Sequence, residues 1–231
     1  DMYITQKGKG EPGKEKRNIK GVWRLWPEHL GPDDFFQGMK LSKSEIEHKT
    51  TNPDHVFEIH PVTAVESIDL TASLKNIIGY QPKDVWSVFG QLQNKTFTIT
   101  TNQKTISFST KQIGNNYIDL WARVDKFWEV EDGAMAFCTI IDSDFDPASD
   151  KIADKVVSKK TRMVVVKDSE PYKEAEKKTG NHFIHILAIP RIDLALVAWR
   201  AAASKKKPDV RTWGMPVEFI AAGIINPEID E

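Results

Sequence analysis

The sequence predicts a mainly β protein with minor α, built from one or two closed barrel units, on three observations. Most apolar segments are short and either alternate with polar residues or are rich in Val, Ile, Thr and aromatics, which is strand chemistry. Helix signals are few and brief. The second half reads strand, strand, strand, helix, strand, strand, the order of an OB-type barrel. With 231 residues and 40% hydrophobic content, the chain can furnish one large core or two small ones.

From the N-terminus, residues 1–17 carry almost no apolar side chain after Ile4, so they are expected to form a flexible tail. Asn18 to Trp26 reads as a strand, with Trp23 and Leu25 on one face and Val22, Arg24 and Trp26 on the other. An arginine between aromatic neighbours suits core packing with a snorkelling guanidinium, or the stacking of a base or sugar ring. Gly31 to Thr51 is a polar excursion with a helical turn expected near Ser44 to His48. After Asn52-Pro53-Asp54, Val56 to Val65 has strand composition, and Pro61 is tolerated there at an edge or bulge. Pro82 to Phe89 is expected as a short amphipathic helix stopped by Gly90, its Trp86 and Phe89 plugging a barrel end. Thr96 to Thr101 and Thr105 to Thr110 have hairpin patterning.

In the second half, Tyr117 to Glu129, Gly133 to Ser143 and Thr161 to Lys167 are predicted strands. Ser169 to Thr179 is a helix with a serine cap and a closing Gly180, and Phe183 to Trp199 and Pro216 to Ile224 are further strands. The predicted organisation is a tail over 1–17, a β-rich OB-like unit over 18–114, and an OB-like barrel unit with one helix over 115–231. One fused barrel is the alternative.

Strand alternation places Glu58 and His60 side by side. With Glu28 and His29 as further donors, these residues are the candidate metal or acid/base site, because a carboxylate beside an imidazole fixes its orientation and both are divalent-metal ligands. A structural pair that pins strand register is the plainer reading. Arg24, Trp26, Trp121 and Arg123 repeat one aromatic and basic spacing, and they are the candidate ligand platform. Asp142, Asp144, Asp146 and Asp150 begin like a calcium loop, but Pro147 stands where a turn glycine is needed and the closing glutamate is missing, so a solvated acidic loop is expected. His182 and His185 fall on opposite faces. No Gly-rich phosphate loop, Gly-x-Ser-x-Gly elbow or Cys/His zinc spacing occurs. The single cysteine, Cys138, lies in an apolar run, which excludes an intramolecular disulfide and predicts a buried thiol.

The segments Gly21-Val22-Trp23-Arg24-Leu25-Trp26-Pro27-Glu28-His29 and His55 to Thr63, with a Glu-Ile-His-Pro-Val core, resemble a pattern found in poorly characterised bacterial OB-like β-barrel domains. The resemblance covers roughly the first third of the chain. It implies a fold and no activity.

A net charge of −1 does not support nucleic acid held by bulk charge, although a local basic groove is compatible with it. The best candidate membrane span, Phe183 to Ala203, is interrupted by His185, Pro190, Arg191, Asp193 and Arg200, so no span is expected and the chain should be soluble. The start at Asp1 without a signal segment fits a processed secreted protein or a trimmed chain, and a secreted or periplasmic location is expected ahead of a cytoplasmic one. The leading functional expectation is a non-enzymatic module that binds an extended polymer, such as nucleic acid or glycan, or a protein partner. Two alternatives stand beside it: a metal-dependent, phosphodiesterase-like hydrolase using Glu28, His29, Glu58 and His60 with a divalent cofactor, and a structural or assembly module.

Overall fold

The computed structural model describes residues 2–5, 16–26, 35–36, 39–40, 57–75, 81–89, 97–101, 106–110, 115–177, 182–204, 211–213 and 216–225. The first strands are β1 (Met2–Thr5), β2 (Lys16–Leu25), β3 (Phe35–Phe36), β4 (Met39–Lys40), β5 (Phe57–Val65), β6 (Ile68–Asp69), β7 (Lys83–Asp84), β8 (Phe97–Thr101) and β9 (Ile106–Thr110). A short helix, α1 (Trp86–Phe89), precedes β8. Strands β1, β2, β5 and β6 form one antiparallel sheet in that order. Within the stretch read as a tail, β1 is therefore a paired strand, with Met2 opposite Ile19. Strand β2 slips register against β5 at Gly21, where a Cβ would stand 2.4 Å from the Pro61 carbonyl oxygen. Only glycine lets the two backbones approach so closely at this bulge.

Next come β10 (Ile118–Val130), β11 (Gly133–Ile141), α2 (Ile152–Lys155), β12 (Val156–Val166), α3 (Glu170–Glu176), β13 (Phe183–Ile192), α4 (Leu194–Ser204), β14 (Arg211–Trp213) and β15 (Val217–Ile224). Strands β10, β11 and β12 form an antiparallel meander. Strand β12 then pairs in parallel with β15, β15 antiparallel with β13, and β13 antiparallel with β10, which closes the ring. This is the OB-like topology, with α3 between the third and fourth barrel strands.

The barrel interior is lined by alternate residues, among them Ile118 and Leu120 from β10, Ala136 and Cys138 from β11, and Ile186 and Phe219 from β13 and β15, all at most 1% exposed. Alanines at Ala122, Ala134, Ala136, Ala188 and Ala221 leave room for the larger side chains of facing strands in so narrow a ring. Helix α3 packs Tyr172 and Ala175 against this core. Its Ser169 cap accepts from the Tyr172 N–H at 3.3 Å, as the sequence predicts.

Several boundaries differ from expectation. The helix predicted over Pro82 to Phe89 is strand β7 followed by the four residues of α1, and Val85 and Val88 enter the core while Trp86 is 39% exposed and plugs nothing. Strand β12 begins at Val156 rather than Thr161. The predicted strand Phe183 to Trp199 ends at Ile192, and the chain turns into α4 because Asp193 caps it, its Oδ1 accepting from the Leu196 N–H at 2.7 Å. The second half thus holds α2, α3 and α4 rather than one helix.

A smaller apolar layer lies outside the ring. Val22 of β2, Tyr117 and Val164 pack against Ile189, Ile220 and Ala222 on the outer faces of β13 and β15, so the first sheet leans on the barrel. Beside this layer Arg191 and Glu218 stand opposite each other in register, joined at 2.8 Å. Arg191 also donates to the Trp23 carbonyl at 2.8 Å and lies 3.9 Å from the Trp23 ring centroid. Burial lowers the Arg191 pKa and raises that of Glu218, more than their mutual attraction restores.

Strand pairing also crosses residue 114. Strand β7 pairs in parallel with β10, and β14 adds to the β8–β9 hairpin. No helix among the described residues is long and apolar enough to cross a membrane.

Candidate functional site

Glu58 and His60 lie on one face of β5, as alternation requires, with His60 Nδ1 3.8 Å from Glu58 Oε1. Each is engaged elsewhere. Glu58 Oε1 accepts from Arg24 Nη1 at 2.6 Å, and His60 Nε2 meets the Tyr117 hydroxyl at 3.1 Å. A guanidinium on the carboxylate puts a full positive charge where a metal ion would have to sit. Glu28 and His29 lie outside the described residues, and among those described no group of three His, Cys, Asp or Glu is placed to hold a metal.

The candidate platform divides. Arg24 is 0% exposed and Trp26 2% exposed, so their face of β2 is the inward one, which corrects their assignment to an open ligand surface. The arginine does not snorkel. Its Nε donates to the Pro190 carbonyl at 2.9 Å, its Nη1 to Asn116 Oδ1 at 2.8 Å, and its Nη2 to the Asn115 carbonyl at 3.2 Å. Enough acceptors surround the guanidinium to offset its desolvation. The Trp26 indole N–H is buried without a hydrogen-bond partner among the described residues.

Trp121 and Arg123 lie on the outer face of β10, half-buried. The Trp121 indole stacks on the His185 imidazole, with centroids 4.5 Å apart and planes 8° from parallel, and it meets Phe145 edge-on at 5.9 Å. His185 Nε2 is 2.6 Å from Asp119 Oδ1, so β13 and β10 jointly fix the stack. Arg123 Nε donates to Asp125 Oδ1 at 2.9 Å, and Asp125 Oδ2 accepts from the Thr139 hydroxyl at 2.7 Å.

The register of β10 against β11 shifts between Val124 and Lys126. This bulge at Asp125 exchanges the faces beyond it. Phe127 turns inward onto Tyr172, with centroids 5.7 Å apart, while Lys126 and Trp128 turn outward. Trp128 lies 5.2 Å from the Phe137 ring, and the Lys126 ammonium sits 5.8 Å from the Trp128 centroid. The outer face of β10 therefore presents Trp121, Arg123, Lys126 and Trp128 in order. Lys126, Trp128, Phe137 and His185 were not among the sequence candidates, because unbroken alternation from Trp121 would have put Phe127 outside in place of Trp128.

The acidic loop is tied to itself and to α1 and α2. Asp144 takes Lys155 Nζ at 2.8 Å, Asp146 accepts from the Ala148 N–H and the Ser149 hydroxyl, and Asp142 accepts from the Trp86 indole at 2.6 Å. These bonds within the loop hold Asp146 below the usual carboxylate range.

No protein-family model, no curated protein and no solved structure matches the chain.

Proposed function

We propose that the outer face of β10 and β11 is a binding surface for an extended polymer with ring-bearing units, a glycan ahead of a nucleic acid, and that the protein is a binding module. The observation that carries this reading is the order of side chains along one face, Trp121, Arg123, Lys126, Trp128, with rings at both ends and cations between. At a rise of about 3.3 Å per residue the two indoles are roughly 20 Å apart along the strand, enough for several units of a polymer. The second and third strands of OB barrels commonly form their ligand face; β11 and β12 take those places here, so of the proposed surface only β11 coincides with that face. That support is fold analogy.

Charge separates the two polymers. Phosphate-driven affinity needs lysines and arginines whose charge is uncompensated, whereas Arg123 is held by Asp125 and Asp119 faces His185. An Asp–Arg–Thr array offers donors and acceptors together, which sugar hydroxyls require, and the CH-rich face of a pyranose packs on an indole. The hydrolase reading is not favoured, since Arg24 occupies the Glu58 carboxylate.

Calorimetric titration against a panel of polysaccharides and single-stranded homopolymers tests the proposal. Trp128→Ala is expected to weaken the bound glycan about 5- to 150-fold, equivalent to ~1–3 kcal/mol for one stacked ring, with an unchanged melting temperature. Indifference of all glycans, or binding insensitive to Trp128→Ala, would count against it. Homopolymer binding with a steep salt dependence would transfer the face to nucleic acid.

A further inference from the structure

A helix that is apolar all round is ordinarily buried, and α4 is not. Among its 11 residues only Arg200 and Ser204 have polar side chains. Val197 and Ala201 are each 3% exposed and belong to the inward side. On the opposite side Leu194 is 42% and Trp199 66% exposed, with Ala195, Ala198, Ala202 and Ala203 exposed around them. At 3.6 residues per turn these positions form one continuous stripe without a hydrogen-bonding group other than the indole N–H. Arg200 projects from the other flank and is half-buried. Directly after Ser204 the sequence continues Lys205-Lys206-Lys207.

A single cation in the last turn would complement the helix dipole. An apolar face bearing leucine and tryptophan, followed at once by a run of lysines, has the composition of helices that lie in a lipid interface. At about 1.5 Å per residue α4 is roughly 16 Å long, half of a bilayer core, so it suits lying on a bilayer and not crossing one.

We propose that α4 docks on an anionic lipid bilayer surface, with Leu194 and Trp199 entering the headgroup boundary and the lysine run supplying attraction to the lipid phosphates. A second copy of the chain would cover the same stripe, but it offers nothing to the lysines; anionic headgroups answer both features. This stripe shares no residue with the outer face of β10, and the inference does not rest on the polymer reading.

Flotation of the full chain with vesicles of equal parts phosphatidylserine and phosphatidylcholine, against phosphatidylcholine alone, tests it. The chain is expected to float with the anionic vesicles and far less with the neutral ones. Each lysine contributes about fivefold to partitioning near such a surface, so Lys205→Gln, Lys206→Gln and Lys207→Gln together should lower it roughly 100-fold. Trp199→Asp should abolish flotation while leaving the circular dichroism and melting temperature unchanged, because the side chain is mostly in solvent. No flotation of the folded wild-type chain, or undiminished flotation of folded Trp199→Asp, overturns the proposal. A dimer in sedimentation velocity that Trp199→Asp dissolves, in a chain that ignores vesicles, also overturns it and assigns the stripe to a second copy.

Discussion

Arg24 of β2 stands directly opposite Glu58 of β5 and donates to it at 2.6 Å, while the same guanidinium donates to the Pro190 carbonyl of β13 at 2.9 Å. One side chain thus joins a cross-strand pair in the outer sheet to the wall of the barrel. Arg24→Ala takes one donor away from a partly buried carboxylate, an asparagine oxygen and two carbonyls, and removing one partner from such a network costs about 3–5 kcal/mol. Glu58→Gln keeps an acceptor in place and should cost less. Urea unfolding of both variants checks the order; equal midpoints for wild type and Arg24→Ala would show that the junction carries no stability.

Asp193 performs two tasks that substitution can separate. It caps α4 and pairs with Arg162, whose Nε also lies 2.9 Å from Glu218 Oε2. Asp193→Asn preserves the cap and removes the charge, for an expected loss of roughly 1–2 kcal/mol. Asp193→Ala removes both, for roughly 2–4 kcal/mol. Thermal melts should rank wild type, Asn and Ala in falling order, and coincidence of the two variants would show that the cap contributes nothing.

Cys138 faces the barrel core at 0% exposure, and burial, reinforced by the negative charge of Asp125, raises its pKa from 9.0 to about 12. The folded thiol therefore keeps its proton where the unfolded thiol has lost it. Its contribution to stability is complete below pH 9 and falls as pH rises from there toward 12. At pH 8 a thiol reagent should react slowly with the native chain and rapidly in denaturant. A Cys138→Ser variant should lack this component of the alkaline fall in stability.

Much of the fold was legible in the sequence because each piece has a local signature: alternating apolar residues in β10, the Ser169 cap of α3, and, outside the barrel, the paired threonine-rich segments of β8 and β9. Helix α4 was not. Phe183 to Trp199 is apolar almost throughout, so neither a period of two nor of 3.6 shows, and the one local signal was Asp193 ahead of an alanine-rich run. The pairing of Glu58 with His60 followed from alternation alone, whereas the burial of Arg24 did not, since its acceptors at Asn115, Asn116 and Pro190 are more than ninety residues away. The outer face of β10 was half legible: Trp121 and Arg123 precede the bulge, and Trp128 follows it.

The order in which strands are joined has a further consequence during synthesis. β15 is the last strand of the described chain, yet it sits between β12 and β13, and β8 finds its partner β14 only more than a hundred residues later. A nascent chain therefore leaves the ribosome with an open seam and a waiting edge until residues 211–224 emerge. Until then the meander offers an unpaired strand to any neighbouring chain. Translation that stalls before Val217 would yield a sticky fragment and not a shorter working protein, which ties the yield of this fold to completion of its message.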